Sequence, residues 1–266
     1  MIKGQLTNKN DMVTYEACRA ICSIKDVTPL QLAAALNCLK LMLYSTKPVI
    51  IFAAVRTLNK LAMTNPQAVA ICNIHLEPLI SHANRSIATF AITTLLKTGT
   101  EQSVDRLMKQ ISGFVNEISE DFKVIVVDAI RSLCLKFPTK HILMLTFLSQ
   151  ILRDEGGYEF KKNIVNAFFD IVHSIPASID FALTQLCEFI EDCEHPRLSV
   201  RILHLLGELG PNTTNPSQYI RHIYNRLILE VDIIRAAAVS SLAQFAVRHA
   251  ETRASVRVLL ERYSYV

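Results

Sequence analysis

The sequence predicts an all-α chain, a right-handed alpha-alpha superhelix of about seven helical-hairpin repeats, on three observations. One pattern returns at a nearly fixed interval, each copy has the apolar spacing of a helix, and the composition suits a folded helical protein. The pattern is clearest at Ile51-Phe-Ala-Ala-Val-Arg-Thr-Leu-Asn-Lys-Leu-Ala62. With Ala54 as anchor, equivalent positions are Ala17, Ala54, Ala91, Ala129, Ile164, Ile202 and Ala238, which lie 37, 37, 38, 35, 38 and 36 residues apart. A period of this size belongs to HEAT/ARM-like solenoids, in which each repeat buries its apolar face against its neighbours.

Around the anchors the columns are consistent. One position on stand Cys18, Val55, Ile92, Ile130, Val165, Leu203 and Val239, and four positions on stand Ile21, Leu58, Leu95, Leu133, Phe168, Leu206 and Leu242. Four positions before stand Val13, Ile50, Ile87, Ile125, Phe160, Leu198 and Ile234, all large and apolar. Residues at offsets −4, 0, +1 and +4 share one face of a helix, so each unit contributes an amphipathic helix. Alanine at five of the seven anchors lets a neighbouring backbone approach closely.

Half of the 266 residues are apolar, Gly and Pro are few and Trp is absent, which excludes a disordered or collagen-like chain. A solenoid grows by adding units, so residues 1–266 read as a single helical-repeat trunk segment. A formal net charge of +4 is small for this length and does not argue for nucleic acid, whose binders concentrate Lys and Arg. The seven cysteines, Cys18, Cys22, Cys38, Cys72, Cys134, Cys187 and Cys193, form no closely spaced even framework. They read as reduced core residues of a cytosolic protein. The start lacks a signal peptide's apolar core, and no apolar run approaches the roughly 20 residues needed to span a bilayer.

The elements follow in order. Asn10-Asp11 caps a first helix over Val13 to Cys22, with no partner helix before it. Thr28, Pro29 and Gln31 form the capping box of a second helix, which runs to about Tyr44. Lys47-Pro48 starts the Ala54 helix, and Asn65-Pro66 ends it. Gln67 to Ser81 reads as an outer helix broken between Asn73 and Pro78, because proline lacks the amide a helix interior needs. Asn84-Arg85-Ser86 opens the next inner helix and Gly99 closes it. Residues 101–115 and 121–137 form a pair that Pro138 stops. Thr139 to Arg153 is a strongly apolar helix, and Gly156-Gly157 turns the chain into a helix over 158–174, stopped by Pro176. Ser178 to Asp192 and Pro196 to Leu209 pair next, before the strongest loop signal, Gly210-Pro-Asn-Thr-Thr-Asn-Pro216. Ser217 to Glu230 and Asp232 to Arg248 form the last pair, and 251–265 begins one further helix. Both ends therefore interrupt a unit, which predicts the interior of a longer solenoid.

No catalytic motif stands out: there is no nucleotide-binding Gly-rich loop, no Gly-x-Ser-x-Gly elbow and no His-Glu-x-x-His helix. No cofactor is expected, and the chain reads as a non-enzyme. Glu188, Glu191, Asp192 and Glu194 sit at a helix end, where carboxylates form a solvated face. Cys187 and Cys193 have the wrong spacing for a zinc pair. The feature most informative for function lies two positions after each anchor, where Arg19, Arg56, Thr93, Arg131, Asn166, His204 and Ser240 are all polar. Stacked inner helices turn such a column into a ladder that either contacts a partner or links adjacent repeats. Arg19, Arg56 and Arg131 are the leading binding candidates, because a guanidinium grips a carboxylate through two parallel hydrogen bonds.

Several strings are similar to one family: Ala54-Val-Arg-Thr-Leu-Asn-Lys60, Asn84-Arg-Ser-Ile-Ala-Thr89, Ala91-Ile-Thr-Thr-Leu-Leu-Lys-Thr-Gly99, Asp105-Arg-Leu-Met-Lys-Gln-Ile-Ser112, Cys187-Glu-Phe-Ile-Glu-Asp-Cys-Glu194 and Arg201-Ile-Leu-His-Leu-Leu-Gly207 with Thr213-Thr-Asn-Pro-Ser217. They resemble the trunk of coatomer gamma subunits, in the COPI coat of Golgi transport vesicles, related to the large adaptins. The resemblance implies a solenoid that cradles the small zeta subunit, pairs with the beta and delta subunits and reaches the membrane peripherally through the coat. Recruitment by a GTP-bound Arf-family GTPase is implied as well, with much of that contact in helices preceding the matched strings. No nucleic acid partner is implied. Generic repeats also serve nuclear-transport receptors, phosphatase scaffolds and accessory regions of enzymes; the matched strings favour the coat.

Overall fold

The structure, a computed structural model, describes residues 2–24, 26–115 and 118–263. Among them the regular elements are helices only. In order they are α1 (Asp11–Ser23), α2 (Pro29–Met42), α3 (Pro48–Ala62), α4 (Pro66–Ala70), α5 (Asn73–Leu76), α6 (Arg85–Thr98), α7 (Glu101–Phe114) and α8 (Glu120–Lys136), followed by α9 (His141–Arg153), α10 (Tyr158–Ser174), α11 (Ile179–Glu191), α12 (Pro196–Leu209), α13 (Ser217–Leu229), α14 (Asp232–Arg248) and α15 (Arg253–Tyr263).

Helix starts follow the local chemistry. The Asn10 side chain accepts the Met12 amide, and Asn84 accepts those of Ser86 and Ile87. Thr28 and Gln31 complete their reciprocal box. Pro29, Pro48, Pro66 and Pro196 open their helices, where no amide is missed. The outer helix after α3 is broken twice: at Ile71–Cys72, just before the expected stretch, which separates α4 from α5, and at Pro78, where the chain passes into a 3-10 helix over Glu77–Ser81. Several short 3-10 turns have no counterpart in the helical periodicity. Ile2–Thr7 packs on α1 and α2 where no preceding partner is expected, and Gly210–Asn212 lies in the stretch expected to be loop. Such turns close i to i+3 hydrogen bonds over a few residues, too short to show a 3.6 period.

The chain forms two compact units, residues up to Lys140 and residues from His141 on. In the first, α1 packs on α3, α3 on α6 and α6 on α8, with α2, α4, α5 and α7 forming an outer layer. In the second, α9, α11 and α13 pack successively as the outer layer and α12 packs on α14. Each unit is a stack of helical hairpins.

All seven anchors are buried, Ala54, Ala91, Ile164, Ile202 and Ala238 completely. The +4 column is buried in every copy as well. The −4 column fails twice: Val13 is 38% exposed and Ile125 44%. In both helices the burial shifts one residue onward. Thr14 takes the slot in α1, donating to the Asn8 carbonyl at 3.0 Å, and fully buried Val126 takes it in α8.

Helices α12 and α14 approach so closely that a Cβ on Gly207 would lie 2.9 Å from Ser241 Cα. The Ser241 hydroxyl is 2.6 Å from the Leu203 carbonyl it donates to, joining the two helices. Alanine ordinarily strengthens a helix interior by about 1 kcal/mol over glycine. Here Gly207→Ala is expected to destabilise by about 1–3 kcal/mol, since backbone must move to admit the methyl. Thermal denaturation followed by circular dichroism checks the sign.

Candidate partner-binding surface

Two residues beyond a buried anchor is about 200° around the helix, on the side away from the core. Arg19, Arg56, His204 and Ser240 are accordingly exposed, and Arg131 and Asn166 are half-buried. Thr93 departs from the column: it is 1% exposed and cannot meet a partner. Its hydroxyl accepts from Asn59 Nδ2 at 2.8 Å, and that same amide donates to Thr94 at 3.1 Å. Threonine tolerates such burial because its hydroxyl also bonds back one turn, here to the Thr89 carbonyl at 2.9 Å. A nearby bond of 2.6 Å from Thr98 to Asn73 continues a polar seam along α6.

The rest of the column divides by what each side chain meets. Asn166 Oδ1 accepts from Arg201 at 2.8 Å, linking α10 to α12, and the Arg201 guanidinium lies 5.0 Å from the Phe169 ring centroid. Arg131 pairs with Asp128, three residues back, at 3.7 Å. Arg19 pairs with Glu16 at 2.6 Å.

The structure brings Arg19 and Arg56 to one place. Together with Tyr15, Glu16, Cys22, Thr57 and Lys60 they line a groove of about 470 Å³ between α1 and α3. The Tyr15 hydroxyl and Thr57 Oγ1, 3.2 Å apart, link its walls. Lys60 is the member that the repeat column misses; its signal is the four-residue spacing from Arg56, which puts both cations on one helix face. A larger hollow of about 770 Å³ by the starts of the same helices contains Lys47, but that ammonium is 3.0 Å from Asp11.

The remaining candidate cluster disperses over the surface. Glu188 pairs with Arg153, Glu191 lies 2.8 Å from His222 Nδ1, and Asp192 and Glu194 are exposed. Among the described residues no three His, Cys, Asp or Glu side chains are placed to hold a metal ion. Cys187 and Cys193 are buried. Burial pushes the thiols of Cys22, Cys72 and Cys134 up to about 11 and that of Cys18 up to about 12, and it raises Cys187 as well. These sulfurs therefore stay protonated and poorly nucleophilic near neutral pH. No helix among the described residues is long and apolar enough to cross a membrane.

Comparison with known proteins places these helices in a family context. The Adaptin N terminal region family matches residues 1–266. Coatomer subunit gamma-2 of Homo sapiens is 56% identical over 261 residues, covering 98% of this chain and 30% of the human protein. Coatomer subunit gamma of Arabidopsis thaliana is 56% identical over 264 residues, 99% of this chain and 30% of the plant protein. The chain thus spans about 30% of the length of these curated relatives. Among solved structures, a homology model of the full-length AP-3 complex in an intermediate open conformation superposes with a TM-score of 0.73 at 14% identity, over 99% of this chain and 53% of that one. Kap121p bound to Nup53p gives 0.62 at 13% identity, over 98% and 30%. At these identities the two structures share the fold alone.

Proposed function

The chain belongs to the adaptin N-terminal family, and from that premise we propose that it is a scaffold segment of a COPI-type vesicle coat rather than an enzyme. The observation that carries this reading is the 56% identity to coatomer gamma subunits over 98% of the chain. The transport steps served are Golgi-to-ER and intra-Golgi. The protein works in the cytoplasm and cycles onto Golgi membranes and vesicles through the coat. Its partners are the small zeta subunit, which it cradles, and the beta and delta subunits. Recruitment by an Arf-family GTPase acts mainly through helices outside this chain. The likeness to Kap121p is one of fold and lends the nuclear-transport alternative no support of its own.

The mechanism is shape. Within each unit packed hairpins hold the inner helices in fixed relation, so the positions two beyond the anchors are presented at repeat intervals and binding orders side chains rather than backbone. Of that column, Arg19, Arg56, Arg131, Asn166, His204 and Ser240 reach the surface in full or in part, and Thr93 serves the core. Purified zeta subunit should be retained by the immobilised chain in a pull-down, and Arg56→Glu with Arg131→Glu should weaken retention by about tenfold or more, as charge reversal at an interface does. Equal retention by the double variant would leave the column to interhelical links and solvent.

A further inference from the structure

We propose that the groove between α1 and α3 binds an acidic peptide segment in extended conformation, with its carboxylates on Arg56 and Lys60 and the Arg19–Glu16 pair on the opposite wall. This deepens the partner-facing reading of the inner-helix column and rests on it. The first argument is charge. The charged residues lining the groove are three cations, Arg19, Arg56 and Lys60, and one anion, Glu16. Glu16 is already held by Arg19 at 2.6 Å. Among the described residues no ion pair or side-chain hydrogen bond engages Arg56 or Lys60, and both are exposed. Like charges four apart on a helix repel, and a bound anion relieves that repulsion.

The second argument is spacing. Arg56 and Lys60 are four residues apart, which is about 6 Å along the axis. In an extended peptide, side chains on one face recur at about 6.6 Å, close to the Arg56 to Lys60 interval. Alternating acidic residues therefore meet successive cations, whereas a lone phosphate reaches one or two of them. Arg56 can clasp a carboxylate through two parallel hydrogen bonds. The Tyr15 and Thr57 hydroxyls in the same groove bond each other at 3.2 Å, and Thr57 also donates to the Ala53 carbonyl at 3.0 Å, so the cations are what the groove offers a ligand. Cys22 in the wall is held protonated by burial, so it brings no competing negative charge.

The test is fluorescence anisotropy with the intact 266-residue chain and a labelled Gly-Glu-Ala-Glu-Ala-Glu-Gly peptide, at about 50 mM salt, where exposed charges are little screened. Saturable binding is expected, absent with the peptide carrying glutamine for glutamate. Arg56→Gln with Lys60→Gln should weaken it by about tenfold or more, Arg19→Gln by less, and Arg262→Gln in the other unit should leave it unchanged. The substituted side chains are exposed, so helicity by circular dichroism should match the parent. Lack of saturation, or equal affinity for the double variant, overturns the proposal. Displacement by equimolar inorganic phosphate overturns the peptide occupant and assigns the groove to a phosphate group. The assay contains no zeta subunit. A flat isotherm thus sinks the groove without touching the pull-down, and a failed pull-down beside a saturable isotherm sinks the zeta reading alone.

Discussion

Phe245→Ala is expected to destabilise the second unit by about 3–5 kcal/mol, the range for removing a buried aromatic ring. Phe245 is fully buried in α14, and its ring lies against the bare Cα of Gly210, where a Cβ would overlap ring carbon Cζ. Gly210 has a right-handed helical backbone, φ −56 and ψ −39, so it is needed for space and not for conformational freedom. The backbone at Phe245 is tied down from beyond the helix. Its carbonyl accepts both the His249 amide and the Thr252 hydroxyl at 3.0 Å. Relaxation into the void is therefore limited, which places the cost toward the upper part of the range. Gly210→Ala alone should destabilise by about 1–3 kcal/mol through overlap with the ring. Combined with Phe245→Ala, its methyl enters the void, and the double variant should be more stable than the sum of the singles by about 0.5–3 kcal/mol. Urea denaturation of the four proteins measures this directly; strict additivity would show that ring and glycine do not share one space.

Leu58→Ala should cost about 2–5 kcal/mol in the first unit. Leu58 is fully buried in α3, four residues beyond Ala54, and α3 packs against both α1 and α6. The cavity therefore weakens packing toward both neighbours, and amide hydrogen exchange should accelerate in α1, α3 and α6. Arg56, two residues earlier on the opposite side of the helix, provides the contrast. Arg56→Gln should leave the unfolding free energy within about 0.5 kcal/mol of the parent, as surface substitutions do. It should weaken acidic-peptide binding, whereas Leu58→Ala should reduce binding only by lowering the folded fraction. Equal effects of the two variants on both readouts would remove the division between a packing face and a binding face.

The repeat itself was legible because its signals are short-range. The Asn10, Thr28 and Asn84 caps, the opening prolines and the break at Pro78 each depend on atoms within about one helical turn. The anchor and +4 columns were legible too, since a helix that repeats the same apolar face in every copy has one way to bury it. Val13 and Ile125 failed because the face can rotate by one residue at little cost when an adjacent Thr14 or Val126 fits the same slot. The polar column was legible as a pattern and opaque as a set of contacts. Thr93 is buried because Asn59, 34 residues away in sequence, meets it, and Asn166 is engaged because Arg201, 35 residues away, reaches it.

The sequence by itself determined the helical repeat, its caps and its buried stripe, because hydrogen bonds and apolar periodicity within a helix are set by residues a few positions apart. Only the tertiary structure decided which polar side chains are spent between helices and which stay free. Arg56 and Arg19 share a groove with Lys60 because stacking brings α1 beside α3, and whether a side chain there finds water, a neighbour or a partner depends on residues a full repeat away.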